Sequence, residues 1–272
     1  FGIEGDEDLE IEEIEALPLI REVNDNEEVI PSKHDNKYNI SHLPESLKEA
    51  LKSFVLTCAA RRTRSKGVIH NSMLIHVTRF NELQKQISGF VKKEMQDLSA
   101  RIMGNPNQED LEILWENDFK ETSEAMLSLG YNDSIPISWE DIKSELYEAA
   151  SRIKVKSING LAGDILDYKN VEIVTEQKIK NGEILTWGER GAHIIAIGGD
   201  KLSRGLTLEG LSVSYYLRAS RMYDTLMQMG RWFGYREGYQ DLCRIYTTND
   251  LTEWYMHIAQ ANIELKNEFE YM

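Results

Sequence analysis

The chain has 272 residues, 41% hydrophobic and 28% charged, the balance of a soluble globular protein with a substantial core in one large or two small domains. Its net charge of −15 argues at first against a nucleic-acid partner, but residues 1–28 hold twelve Asp or Glu against one Arg, so the remainder carries only −4. No apolar run approaches the roughly 18 residues of a membrane span, no signal peptide is visible, and Cys58 and Cys243 stand in unrelated contexts. Neither a disulfide framework nor a zinc site is indicated, and a cytoplasmic setting without membrane partners is expected.

Residues 1–40 read as an acidic leader or linker and residues 41–272 as one domain. Pro44 to Arg64 predicts an amphipathic helix, with Leu47, Leu51, Phe54, Val55 and Cys58 on one face and Pro44 suited to its start. Its end carries the basic run Arg61 to Lys66. Arg61, Arg62 and Arg64 are either phosphate contacts or cations that suit the helix dipole. Met73 to Val77 predicts a buried strand, in which His76 reads as a core histidine. Thr78 and Arg79 at its exit are candidate nucleic-acid contacts. Phe80 to Ala100 predicts a helix, and a helical, acidic insertion over about 100–150 is anchored by Trp115, Phe119, Met126, Leu129 and Trp139. Ile153 to Ile158 and Val171 to Val174 are further strand candidates.

The stretch from His193 to Arg236 carries the most information. His193 to Ile197 is an apolar, β-branched run ending at Gly198-Gly199, as a buried parallel strand should. Such strands place ligands beyond their carboxyl ends, and the loop that follows offers Asp200, Ser203, Arg204, Gly205 and Thr207. Val213 to Leu217 predicts the next strand, and Met222 to Met229 a helix that runs into Arg231 and Arg236. Leu242 to Tyr246 predicts the last strand. Asp250 to Asn267 predicts a closing helix with Trp254, Ile258 and Leu265 inward.

Two arginines behind such a loop have a chemical use. Hydrolysis of a phosphoanhydride builds charge on the γ-phosphoryl oxygens, which a guanidinium fork stabilises; such a residue is worth roughly 10³ to 10⁵ in rate. The plainer alternative is a pair of helix C-terminal cations.

DKLSRG, with Asp200, Arg204 and Gly205, resembles motif V of superfamily 2 helicases, and QMGRWFGYR, from Gln228 through Arg231 to Arg236, resembles motif VI. More closely, HNSMLIHVTR, IGGDKLSRGLTLEGL, YYLR and QMGRWFGYR together resemble the Z1 domain over roughly Leu43 to Glu268. That domain accompanies helicase modules in bacterial restriction and phage-defence-like systems and is often labelled an endonuclease. The resemblance implies an α/β, RecA-like (P-loop NTPase-type) three-layer domain with a mainly parallel sheet. It implies ATP and Mg2+ held mainly by another domain, DNA as the track, and other restriction or defence subunits as partners. Gln228, Arg231 and Arg236 would be catalytic, with Arg231 on phosphate and Arg236 as the finger. Asp200, Ser203, Arg204, Gly205 and Thr207 would contact the nucleotide and couple it to DNA. Thr207 stands where the acidic residue for the ribose is expected, and Glu209 is its candidate substitute. Arg236 also lies two residues further from Arg231 than the general pattern has it.

No G-x-x-x-x-G-K-[ST] sequence occurs, so the chain is not expected to hydrolyse ATP alone. It begins at Phe1, and a P-loop ATPase domain of the same protein is expected upstream. Two rival readings remain: a metal-dependent endonuclease built on Asp164, Asp167 and Glu176-Gln177-Lys178, and a retired motor half that serves as an interaction module.

Overall fold

The computed structural model describes residues 17–64, 68–105, 107–131, 133–158, 166, 168, 178, 180, 181, 191–199, 208–218 and 236–270, the last without side chains at 262, 263 and 265–270. Six strands form one all-parallel sheet: β1 (Ile20–Glu22), β2 (Asn71–His76), β3 (Lys154–Ile158), β4 (His193–Gly198), β5 (Leu211–Tyr216) and β6 (Arg244–Thr247). Their spatial order is β1-β6-β5-β2-β4-β3. Parallel strands need crossovers: α1 (Glu45–Arg64) crosses from β1 to β2, α2 (Asn81–Gly104), α3 (Glu109–Leu114), α4 (Glu121–Ser128) and α5 (Trp139–Arg152) cross from β2 to β3, and α6 (Asn249–Glu270) follows β6.

Strand periodicity sorts the core into two layers. Met73, Ile75, Ile195, Ile197, Val213 and Tyr215 face α1, α2 and α5 in one large cluster. Leu74, Ile194, Ala196 and Leu211 face the other way, against Ile158, Leu166, Tyr168 and Leu208. On that second side Leu251 and Tyr255 of α6 pack on Tyr216. The result is an α/β domain with helices on both faces of a parallel sheet, consistent with a RecA-like three-layer architecture. β2, β4 and β5 are buried along their whole length, which is why they read as apolar runs without alternation.

The five residues expected on the buried face of α1 are all fully buried, each contributing roughly 1.5–3 kcal/mol for a large side chain. Polar residues on the same helix bind the sheet: Ser53 pairs with the Tyr246 hydroxyl at 2.8 Å, and Thr57 donates to Leu242 O at 3.0 Å. Of the expected insertion anchors, Trp115, Phe119, Met126 and Trp139 are buried, whereas Leu129 is 39% exposed. Leu129 caps the end of α4, where the chain turns away from the core. Trp254 is likewise exposed rather than inward. The buried stripe of α6 runs through Leu251, Tyr255 and Ile258, and Trp254 is rotated off it.

Three features have no counterpart in the sequence reading. The leader carries β1, which pairs with β6, and it buries Val23, Val29, Ile30 and Ile40. A π-helical segment, Trp115–Lys120, joins α3 to α4 and turns Asp118 and Phe119 toward β6. There Arg244, fully buried, donates to Asp118 Oδ1 at 2.9 Å and stacks on Phe119 at 4.0 Å, while Arg21 of β1 donates to Asp118 Oδ2 at 3.0 Å. Burial pushes the Asp118 carboxyl up, but the two guanidinium groups outweigh it and hold the carboxyl below its ordinary range. The strand candidate Val171 to Val174 and the helix candidate Met222 to Met229 lie outside the described residues.

Candidate functional site at two edges of the sheet

The connection from β4 to β5 begins at Gly199, at the carboxyl edge of the sheet, and re-enters at Leu208, at the amino edge. Of the residues expected around the nucleotide, the described ones, Glu209 and Arg236, stand at the amino edge, whereas Thr78 and Arg79, expected on nucleic acid, stand at the carboxyl edge.

The carboxyl edge is set by β2 and β4. Thr78 is buried: its Oγ1 accepts from Phe80 N at 3.1 Å and pairs with His34 Nε2 at 2.7 Å. Because His34 Nδ1 lies 2.6 Å from Pro31 O, that nitrogen carries the proton and Nε2 accepts from the threonine. Thr78 therefore orders the leader, and the adjacent Arg79 is the exposed residue of the pair. Gly199 is pressed against the same turn; a Cβ there would lie 2.8 Å from Gln84 Nε2 and 3.3 Å from Thr78 O. The chain leaving β2 enters α2 on the face of the large cluster. The carboxyl ends of the strands are the usual ligand position in open α/β sheets.

The amino edge gathers a second set. Arg61 Nη1 donates to His70 O at 2.7 Å, Asn71 Oδ1 at 2.6 Å and Gly210 O at 3.3 Å, and its guanidinium stacks on Tyr239 at 3.7 Å. These partners are all neutral. Burial above all, with Arg236 adding to it and Tyr239 opposing, pulls the Arg61 pKa down from its ordinary value. Gly210 has to be glycine here: its φ is +63°, and a Cβ would lie 1.8 Å from His70 O. Arg236 Nε donates to Leu211 O at 3.4 Å, and its side chain lines a cavity of about 330 Å³ with Tyr131, Asp133, Ser134 and Gln240. Glu209 is exposed at the same edge, its carbonyl accepting from Ser72 Oγ at 2.7 Å. His193 is buried beside Arg61 and His70; burial first, then those two neighbours, push its pKa down to about 3.

The basic run at the end of α1 is not an outward patch. Arg61 is engaged as described and Arg62 is buried. Arg64 forms a two-pronged pair with Asp241 at 2.7 and 2.6 Å, and it also donates to Ile135 O at 2.7 Å. Ser123 of α4 donates to the same carboxylate at 2.5 Å. Arg64 thus bolts the helical insertion to the segment before β6 and fixes the wall of the Arg236 cavity. The sequence pattern does not reveal this pair, since Arg64 and Asp241 are far apart in the chain.

Gln228, Arg231, Asp200, Ser203, Arg204, Gly205 and Thr207 lie outside the described residues, as do Asp164, Asp167, Glu176 and Gln177. Among the described residues, no group of three or more His, Cys, Asp or Glu is placed to hold a metal ion, and no helix is long and apolar enough to cross a membrane.

The model of the Z1 domain matches residues 46–272. The chain belongs to the Z1 domain family. Neither the curated proteins nor the solved structures yield a match. The Z1 match starts at α1, so β1 and the leader segment on Thr78 lie ahead of the shared region.

Proposed function

We propose that this Z1 domain is the carboxyl-terminal motor half of an ATP-dependent, superfamily 2 helicase-like DNA translocase of a restriction or phage-defence system. A P-loop domain of the same protein would hold ATP and Mg2+, and the amino edge would close on the phosphates, with Arg236 as finger and Arg231 beside it. Gln228 would align the attacking water, and Glu209 would meet the ribose in place of the missing motif V carboxylate.

The observation that carries this reading is the division of the site. Arg61, with only neutral partners among the described residues, and Arg236 bring positive charge to one edge. Arg79 stands at the other edge. A single connection, residues 200–207, joins the two. A motor needs such a link, because closure on a nucleotide at one place has to move a grip on DNA at another. The Arg61 guanidinium is held by neutral oxygens among the described residues, so its positive charge stays at that edge and would favour a polyphosphate.

The test is DNA-stimulated ATP hydrolysis by the whole protein, comparing wild type with Arg231→Ala and Arg236→Ala. Loss of a finger predicts a fall of about 10³ or more in kcat. Hydrolysis that stays at the wild-type rate in both variants rejects the motor reading and favours an interaction module.

A further inference from the structure

At the carboxyl edge the leader does more than lead into the domain. The turn over residues 31–40 lies on the exit of β2: His34 binds Thr78, and its ring packs edge-on against Phe80 at 5.6 Å. Gln86 of α2 donates to Asn39 Oδ1 at 2.9 Å and accepts from Ile40 N at 3.1 Å. These contacts seat the leader turn that carries Lys33 and Lys37 on the segments that carry Arg79, whose guanidinium sits 4.9 Å over the Phe80 ring, and Lys85 of α2.

All four of these cationic residues are exposed. Among the described residues none has a carboxylate within ion-pair distance. The carboxylates of the leader turn are turned to the backbone: Asp35 accepts from Lys37 N at 2.9 Å, and Glu27 from Ser32 N at 3.0 Å. Glu82 is the acidic residue in the first turn of α2, and Phe80 gives that helix no side-chain cap. The positive end of its dipole therefore opens at the same place. An unpaired cluster of lysine and arginine is unusual in a chain of net charge −15. It lies at the carboxyl end of β2, and the carboxyl ends of strands are the position favoured for a ligand.

We propose that Lys33, Lys37, Arg79 and Lys85 form a track for the phosphodiester backbone of DNA, with the leader turn as one bank and the start of α2 as the other. This rests on the motor reading for its choice of polyanion. His34 is a positioning residue: it locks the two banks together through Thr78. The track is sequence-independent, because it offers charge and amide groups but no side chain shaped to a base edge.

The experiment is a salt titration of a labelled DNA duplex binding to the full 272-residue chain. Each phosphate contact contributes about 0.9 to the slope of log K against log salt, so four cations predict a weakening of about 150-fold between about 50 and 200 mM salt. Lys33→Ala with Lys37→Ala should lower that slope by about 1.8, leaving a weakening of about 12-fold, for unrelated sequences alike. Lys92→Ala with Lys93→Ala, further along α2, should leave the slope unchanged. A slope equal to wild type in the Lys33/Lys37 variant overturns the proposal, as does a wild-type chain that binds no DNA. The motor reading fails separately, through hydrolysis that ignores Arg231 and Arg236.

Discussion

His193 shows how one residue ties the site to stability. It begins β4, is buried, and sits with Arg61 and His70 on the amino edge, so protonation would add charge where positive charge already accumulates. Its folded pKa of about 3 lies below the unfolded value of about 6.5. The unfolded chain therefore takes up the proton first as pH falls, and stability is full above pH 6.5 and declines below it. The slope is about 1.4 kcal/mol per pH unit, so denaturant unfolding at pH 5 should give a stability about 2 kcal/mol lower than at pH 7. His193→Asn should remove most of that difference. An equal decline in the variant would place the acid sensitivity elsewhere.

Among the elements, β1 and the leader behind it matter most. Three residues of strand form too short a run to stand out in any periodicity, and the acidic surroundings point to solvent. Yet Arg21 reaches Asp118, and Val23, Val29, Ile30 and Ile40 are buried. Removing residues 1–40 should therefore destabilise the rest by more than about 3 kcal/mol, since several apolar side chains are exposed and the Asp118–Arg244 pair loses a partner. Thermal or denaturant melts of the shortened chain check this. An unchanged midpoint would mean that the segment is only a tether.

The same contrast explains what was legible. β2, β4 and β5 were visible because double burial writes an uninterrupted apolar run, and α1 was visible through its stripe. The Arg61, Arg62 and Arg64 run was not: a cation facing inward and one facing DNA are the same letters, and Asp241 and Tyr239, which decide the matter, are far off in sequence. The pairing of His34 with Thr78 was hidden for the same reason. HNSMLIHVTR, IGGDKLSRGLTLEGL, YYLR and QMGRWFGYR together pointed to the family, but spacing alone did not show that Gly199 and Glu209 stand at opposite edges.

For the whole molecule, the sheet acts as a spacer between two charged edges. Its central strands are fully buried and paired on both sides, so β2 links Asn71, at the Arg61 end, to His76, next to the turn that carries Arg79. In the proposed motor half, a stiff body with charge at each end would pass a change at the nucleotide to a grip on DNA. The most direct measurement is a structure of the whole protein with a non-hydrolysable ATP analogue. The account predicts the γ-phosphate within about 3 Å of the Arg236 guanidinium, at the amino edge beside Arg61. A triphosphate bound with Arg236 still turned to Leu211 O, and no phosphate near that edge, would contradict it.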